Sequence, residues 1–421
     1  MRCEKQITQS YEIARERYAA LGVDTENALK VLAEIPISMH CWQGDDVNGF
    51  EITEGGATGG IMSTGNYPGR AGNAAELRAD LDFALSLLPG TMRVNIHAMY
   101  LESEKAVNRD AIAPEHFANW IQWAKEKKIG LDFNPTCFGH SMMVDGMTLS
   151  SPKEEVRKFW IEHCKRSREI SEAMGRALGK RCVMNIWVPD GFKDIPVDRM
   201  AARRRLKDSL DQVLADRKDP ALMADAVESK LFGLGCESCT IGSHEFYMAY
   251  AMDKKIMLTL DSGHFHPTEV ISDKISSSLL FMDEILLHVS RPVRWDSDHV
   301  VVFDDELQAI ASEIVRCGVN RVNIGLDYFD GTVNRIIAWC AGTRNMQKAL
   351  CKALLAPSGT LSEYEYTGDF SSRLALTEEL KAMPWSDVYD YYCLKHNVPV
   401  GTDYIGSAID YVKKIAAARG V

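Results

Sequence analysis

Short apolar segments alternate with longer stretches of helical periodicity along most of the chain. Eight segments are rich in apolar or β-branched residues and end in polar ones: 37–42, 93–100, 130–137, 181–191, 225–233, 255–264, 285–291 and 321–330. Between them, stretches such as 154–178 and 304–318 carry apolar residues near i, i+3, i+4 and i+7, the spacing of an amphipathic helix. The pattern therefore predicts eight strands, each followed by helical sequence.

Eight repeats of strand and helix are typical of one fold in particular, the (β/α)8 TIM barrel of the α/β class. An open doubly wound sheet would show the same alternation with fewer repeats, and no strand is followed by a Gly-rich dinucleotide motif or a P-loop. We predict a barrel with an N-terminal helix over residues 1–330. Residues 331–421 are expected to form a C-terminal helical extension that packs on the barrel and on an oligomer partner.

One predicted connection is unusually long. Residues 43–73 follow the first apolar segment and are rich in glycine. Loops of this length in compact domains are usually functional covers or interface pieces. The sequence leaves open whether this loop closes over its own site or over a neighbour's.

The composition of the chain excludes some classes of partner and indicates the cellular compartment. The net charge of −11 argues against nucleic acid or an anionic membrane as the main partner. No apolar run is long enough for a membrane helix, and the polar N-terminal stretch has no signal-peptide core. We therefore expect a cytoplasmic protein.

The number and spacing of the cysteines indicate a reducing compartment. The chain has 11 of them without a framework spacing, and Cys41, Cys137 and Cys182 stand in apolar segments, as buried thiols do. Cys236 and Cys239 form a CxxC that could be a redox or zinc pair, although the chain has no second one.

Acidic and imidazole side chains follow the later predicted strands where each strand ends. They are Glu228, Asp261, His264, His288, Asp296, Asp298 and Asp327, accompanied by Lys230. A barrel brings the C-terminal ends of its strands to one face, so these side chains are expected to converge. Carboxylates crowded together need a cation between them, and oxygen and imidazole ligands suit Mn²⁺, Mg²⁺ or Zn²⁺. Two divalent ions would nearly balance the five carboxylates, with Lys230 supplying the remainder.

The pair Asp296 and Asp298 is the sharpest part of this pattern, because acids at i and i+2 of an extended chain point the same way. Each residue alone has an ordinary alternative, since a strand-end Asp or His often caps a helix and a lysine often lies along the surface. Their joint occurrence favours a metal site. Asp304 and Asp305 precede a helical stretch, so we interpret them as an N-cap and a first-turn acid and exclude them.

Longer motifs carry a family resemblance. They are "SMHCWQGDDVNGFE", "GLDFNPTCF", "MNIWVPDGFKDI", "AVESKLFG", "DSGHFHPTEVISDKIS" and "ILLHVSRPVRWDSDHVV". Together they resemble bacterial L-rhamnose isomerases over nearly the whole chain. The resemblance implies a cytoplasmic barrel enzyme, commonly a homotetramer, that interconverts L-rhamnose and L-rhamnulose in the first step of rhamnose catabolism. It also implies two divalent ions per subunit, typically Mn²⁺, with Zn²⁺, Co²⁺ and Mg²⁺ as alternatives.

The resemblance also assigns ligands. One metal would be held by Glu228, Asp261, His288 and Asp327. The second, catalytic metal would be held by His264, Asp296 and Asp298.

Three further residues receive substrate-binding roles from the resemblance. His97 would help to open the sugar ring; in the mechanism that we expect, either His97 or Asp327 does so. Trp187 would form an apolar wall, and Lys230 would polarise the carbonyl end of the open sugar. The side chains of His97 and Trp187 can also be simply packed within the core.

The chemistry that we expect is a metal-mediated 1,2-hydride shift between C2 and C1, and a cis-enediol intermediate with a carboxylate base is the alternative.

Two other functions could use a similar set of side chains. A metal-dependent phosphodiesterase would need a basic groove for its polyanionic substrate, which the acidic chain disfavours. A non-catalytic sugar- or metal-binding protein would not need its acids for turnover. The breadth of substrates among the aldoses is not determined by the sequence.

Overall fold

Eight parallel strands close into a barrel in the computed structural model, which describes residues 2–52, 63–232 and 236–420 without the side chains of Trp295 and Asp296. The strands are β1 (Ile37–His40), β2 (Met92–His97), β3 (Gly130–Asn134), β4 (Cys182–Ile186), β5 (Met223–Glu228), β6 (Met257–Asp261), β7 (Ile285–His288) and β8 (Val322–Leu326). Each pairs with its neighbours in the chain, and β8 pairs with β1. Each of the eight predicted segments overlaps one of these strands, so the predicted barrel is confirmed.

A helix follows every strand of the barrel. Two helices precede β1, namely α1 (Glu4–Ala19) and α2 (Thr25–Glu34). The helices after β1 to β8 are α3 (Ala74–Leu85), α4 (Ala118–Lys127), α5 (Glu154–Leu178), α6 (Arg199–Val213), α7 (His244–Lys254), α8 (Ile271–Leu279), α9 (Asp305–Cys317) and α10 (Arg335–Leu354). Strands covered by helices are buried on both sides, which is why β3, β4 and β6 are buried at every position.

The capping of α9 follows the sequence closely. The side chain of Asp304 accepts a hydrogen bond from the Leu307 N–H at 2.9 Å, and Asp305 lies in the first helical turn. The helix ends before Gly318, which has a φ of 107°. The prediction that Asp304 and Asp305 serve this helix is confirmed.

Four helices follow α10: α11 (Ser358–Tyr366), α12 (Phe370–Lys381), α13 (Trp385–Lys395) and α14 (Asp403–Arg419). The last two pack on the barrel's outer helices. Tyr391 of α13 stacks on Tyr11 of α1 with ring centroids 3.8 Å apart, and Tyr411 of α14 stacks on Phe83 of α3 at 4.0 Å. The predicted division of the chain at residue 330 remains a prediction.

The described flanks of the 43–73 loop lie on the barrel of the same chain. Asp46 forms an ion pair with Arg335 of α10 at 2.7 Å, and the Tyr67 N–H donates to the Gly331 carbonyl at 2.8 Å. Residues 53–62 lie outside the described part.

Two short antiparallel strand pairs that the sequence analysis did not predict stand among the loops at the barrel mouth. One joins Gly191–Phe192 to Cys239–Thr240, and the other joins Arg291–Val293 to Trp295–His299. Among the described residues, no helix combines the length and the apolar character that a membrane span requires.

Candidate active site at the barrel mouth

A cavity of about 620 Å³ opens at the C-terminal ends of the strands. Eight of the residues that the sequence singled out line it: His97, Trp187, Glu228, Lys230, Asp261, His264, Asp298 and Asp327. His288 is buried directly beneath, with 1% of its surface exposed. The side chain of Asp296 lies outside the described residues, so its predicted place in the site is untested.

The strand ends bring four of these residues into one cluster. Glu228, Asp261 and His288 are the last residues of β5, β6 and β7, and Asp327 follows β8 directly. Each offers a ligand atom that lies within 4.8 Å of the other three. The His288 Nδ1 is 3.1 Å from the Asp327 Oδ2, 3.3 Å from the Glu228 Oε1 and 3.8 Å from the Asp261 Oδ2.

Burial and the charges of the neighbouring side chains shift the pKa values of these groups strongly. Burial raises the pKa of the Asp261 carboxyl to about 7, and the charges of Glu228 and Asp327 act in the same direction. Burial alone would lower the pKa of His288, but the same two carboxylates raise it well above its usual range. Burial would likewise raise the pKa of Asp327, yet His40 and His288 hold it well below its usual range. The carboxylates thus depend on a positive partner among them.

The donor set of this cluster fits a divalent cation. Three carboxylates and one imidazole, three of these four residues being buried, are the ligands of Mn²⁺, Mg²⁺ or Zn²⁺ rather than of a thiolate-bound structural zinc. The His288 Nδ1 faces all three carboxylates, as expected of a ring nitrogen that serves as a ligand of the same ion.

A hydrogen-bonded layer holds the ligands in place. The Asn185 amide donates to the Glu228 carboxylate, and the Thr259 hydroxyl donates to the Asn185 oxygen at 2.7 Å. The Gly263 N–H donates to the Asp261 Oδ1 at 2.6 Å. Such contacts fix the orientation of a ligand before an ion binds.

Among the residues of this site that the sequence analysis missed are His40 and Trp42. The Trp42 Nε1–H donates to the Asp327 Oδ1 at 3.0 Å, and the His40 Nδ1 lies 3.3 Å from the same oxygen. His40 ends β1, which is the same strand-end position that identified the other candidates. The position of His40 at the end of a predicted strand was therefore visible in the motif "SMHCWQGDDVNGFE", which also contains Trp42.

Gly325 makes room for the two histidines beneath the cavity. A Cβ at this position would lie 2.8 Å from the His40 Nε2 and 3.2 Å from the His288 Cδ2. We expect Gly325→Ala to displace one of these rings, to cost about 1–3 kcal/mol of unfolding free energy and to weaken divalent-ion binding. Chemical denaturation and calorimetric titration with Mn²⁺ measure the two effects. Gly359→Ala is the control, since a Cβ there meets no atom within 4 Å; equal behaviour of the two variants would contradict this role.

The second set of predicted ligands is only partly described. The His264 Nδ1 lies 3.4 Å from the Glu228 Oε1. Asp298 lies in the Trp295–His299 strand with a φ of 38°, so the simple alternation of an extended chain does not apply there. The Phe329 N–H donates to the Asp298 carbonyl at 3.2 Å, which ties this strand to the end of β8.

Aromatic rings form one wall of the cavity. Trp187 packs edge-on against Phe138, with centroids 5.7 Å apart, and the Lys230 Nζ lies 5.2 Å from the centroid of the Trp187 ring. His97 packs against Trp42 at 4.7 Å. Burial lowers the pKa of His97 to about 3, so its imidazole is neutral at physiological pH.

The comparisons with known proteins point to one family. The family model described as L-rhamnose isomerase (RhaA) matches residues 5–419. The L-rhamnose isomerases of Salmonella paratyphi B (strain ATCC BAA-1250 / SPB7) and Salmonella heidelberg (strain SL476) are each 59% identical over 415 residues, covering 98% of this chain and 99% of theirs. Among solved structures, D-psicose 3-epimerase from Clostridium cellulolyticum H10 is 11% identical with a TM-score of 0.46, covering 75% of this chain and 97% of that one.

Proposed function

This chain belongs to the L-rhamnose isomerase family, and we propose that it interconverts L-rhamnose and L-rhamnulose in the cavity at the barrel mouth. The observation that carries the proposal is the cluster of Glu228, Asp261, His288 and Asp327 at the floor of that cavity. An aldose and its ketose differ only in the positions of hydrogens on C1, C2 and their oxygens. A site that binds both oxygens beside charged groups, away from bulk water, is suited to this exchange.

The proposed cofactor is Mn²⁺, with Zn²⁺, Co²⁺ and Mg²⁺ as alternatives, and two ions per subunit. Glu228, Asp261, His288 and Asp327 would hold the first ion, and His264, Asp296 and Asp298 the second. A divalent ion at such ligands supplies Lewis acidity to the sugar oxygens and lowers the pKa of water. The oxygen-rich donor set of Glu228, Asp261, His288 and Asp327 supports the site of the first ion.

The remaining roles belong to the walls of the cavity. Lys230, whose Nζ lies beside the Trp187 ring in the cavity wall, is proposed to stabilise negative charge that develops on a sugar oxygen. Trp187, Phe138 and Trp42 offer apolar faces to the C–H groups of a sugar. The carboxylate of Asp327, which reaches the cavity, is proposed to assist ring opening.

The function is tested by incubating the purified protein and Mn²⁺ with L-rhamnose labelled with ¹³C at C1. The label should appear at C1 of L-rhamnulose, and the same mixture should form from either sugar. A protein that forms no ketose from L-rhamnose with any divalent ion would refute the proposal.

The hydride shift makes a separate prediction. If hydrogen passes directly from C2 to C1, the product formed in deuterated water should carry almost no solvent deuterium at C1. A cis-enediol route instead exchanges this hydrogen with the solvent through the base. Mass spectrometry of the product after a single turnover measures the incorporation, and extensive deuterium at C1 would exclude the shift.

We also propose a cytoplasmic homotetramer whose 331–421 segment contacts a partner. Helices α11 and α12 contain no buried residue and expose Tyr366, Phe370 and Leu374, which supports a covered face in the assembly. Buried cysteines such as Cys137 and Cys182 suit a reducing compartment. Sedimentation equilibrium should give four times the chain mass of 47.0 kDa, and the chain mass itself would exclude this assembly.

A further inference from the structure

The polar groups of Thr136, just beyond β3, are all engaged by neighbours. Its N–H donates to the His163 Nε2 at 2.9 Å, and its carbonyl accepts from the Arg109 Nη1 at 2.6 Å. Its Oγ1 accepts from the Met99 N–H at 3.1 Å and lies 3.3 Å from the His97 Nδ1. Thr136 is fully buried, so these contacts replace water entirely.

His163 holds the backbone of Thr136 in a defined state. The His163 Nδ1 lies 2.8 Å from the Arg109 carbonyl oxygen, and because a carbonyl only accepts, Nδ1 carries the hydrogen. The His163 Nε2 is then the acceptor that the Thr136 N–H requires. The ring is neutral, since burial lowers the pKa of His163 to about 3. Thr136 is therefore fixed from two sides.

The hydroxyl of Thr136 has one hydrogen to donate. If the His97 Nδ1 carried a hydrogen, that group and the Met99 N–H would both donate to Oγ1. The hydroxyl hydrogen would then have no acceptor among the described residues, and a buried donor without an acceptor loses the full free energy of its hydration. If the hydroxyl donates to a bare Nδ1, every group is paired. The second arrangement is favoured, and it leaves the hydrogen of His97 on Nε2.

We propose that Thr136 is a positioning residue that fixes His97 as the tautomer protonated on Nε2, so that His97 offers the sugar a hydrogen-bond donor. This inference rests on the proposed function for the identity of the ligand. His97 lines the cavity, and its Nδ1 is occupied by Thr136, so Nε2 is the nitrogen left for a substrate oxygen.

The tautomer also limits the role that His97 can have in ring opening. A neutral imidazole whose Nδ1 already accepts a hydrogen bond is a poor base, and full loss of the Nε2 proton would leave an anion. We infer that His97 holds a sugar oxygen by hydrogen bonding and that no proton is transferred at this residue.

Neutron diffraction from deuterium-exchanged crystals tests the tautomer directly. Deuterium is expected on the His97 Nε2 and on the Thr136 Oγ1, directed at the His97 Nδ1. Deuterium on the His97 Nδ1 would overturn the inference. This result does not depend on catalysis, so it stays distinct from a failure of the protein to isomerise L-rhamnose.

A matched pair of variants tests the consequence. Thr136→Val keeps the shape but cannot donate, and its kcat/KM on L-rhamnose is expected to fall about tenfold, the factor of one hydrogen bond. Thr136→Ser keeps the hydroxyl and is expected to stay within about twofold of the parent. Equal losses in both variants, or none in Thr136→Val, would contradict the proposal. If Thr136→Val does not fold, the neutron map of the parent protein decides.

Discussion

Asp327→Asn is expected to lower kcat by about a hundredfold to a thousandfold while the protein keeps its fold. The two oxygens of Asp327 face different donors, with Trp42 and His40 near Oδ1 and His288 near Oδ2. An amide must turn its NH₂ group toward one side, and it also removes a negative charge from the proposed ion. Affinity for Mn²⁺ should therefore fall at least about tenfold.

Kinetics on L-rhamnose and calorimetric titration with Mn²⁺ measure these losses. Asp304→Asn is the matched control, because it makes the same chemical change at the N-cap of α9, outside the cavity. Asparagine caps a helix about as well as aspartate, so activity and stability should both be retained. Equal activity of the two variants would contradict the role of Asp327.

Arg109→Met is expected to cost about 3–5 kcal/mol of unfolding free energy, the range for breaking a buried ion pair. The Arg109 guanidinium is 1% exposed and donates to both oxygens of Glu51 and to the carbonyls of Thr136 and Phe138. Methionine would leave the Glu51 carboxylate buried without a cation. Because Phe138 lines the cavity and Thr136 is proposed to position His97, KM for the sugar should rise as well.

Urea denaturation measures the stability change. Arg166→Met is the control: its partners Glu162 and Glu169 lie on the exposed face of α5, where an ion pair contributes little. Adding Glu51→Gln to Arg109→Met should restore part of the loss, because it removes the unpaired charge. An Arg109→Met variant as stable as Arg166→Met would disprove the expectation.

The barrel was predictable because its strands are short and covered on both sides. Each gives an apolar run that ends abruptly in polar residues, and the same ends identified Glu228, Asp261, His288 and Asp327. Apolar runs that end in polar residues therefore predicted both the fold and the main cluster of ligands. It applied equally to His40, which was overlooked because the resemblance gave it no role.

Other features depend on contacts that the sequence does not reveal. Thr136 and His163 are 27 residues apart, and Arg109 is 58 residues from Glu51, so neither pairing has a local pattern. The conformation of Asp298, with its positive φ, arises in a short strand pair outside the barrel. Periodicity predicts regular elements, whereas the fine geometry of the mouth comes from loops packed against one another.

The most direct test of metal-dependent isomerisation is an assay on L-rhamnose after chelation, followed by addition of Mn²⁺, Mg²⁺, Co²⁺ or Zn²⁺ in turn. Circular dichroism should show that the chelated protein keeps its fold. Ketose formation is expected to disappear on chelation and to return with at least one of these ions, Mn²⁺ foremost. Undiminished turnover in the chelated protein would contradict the account.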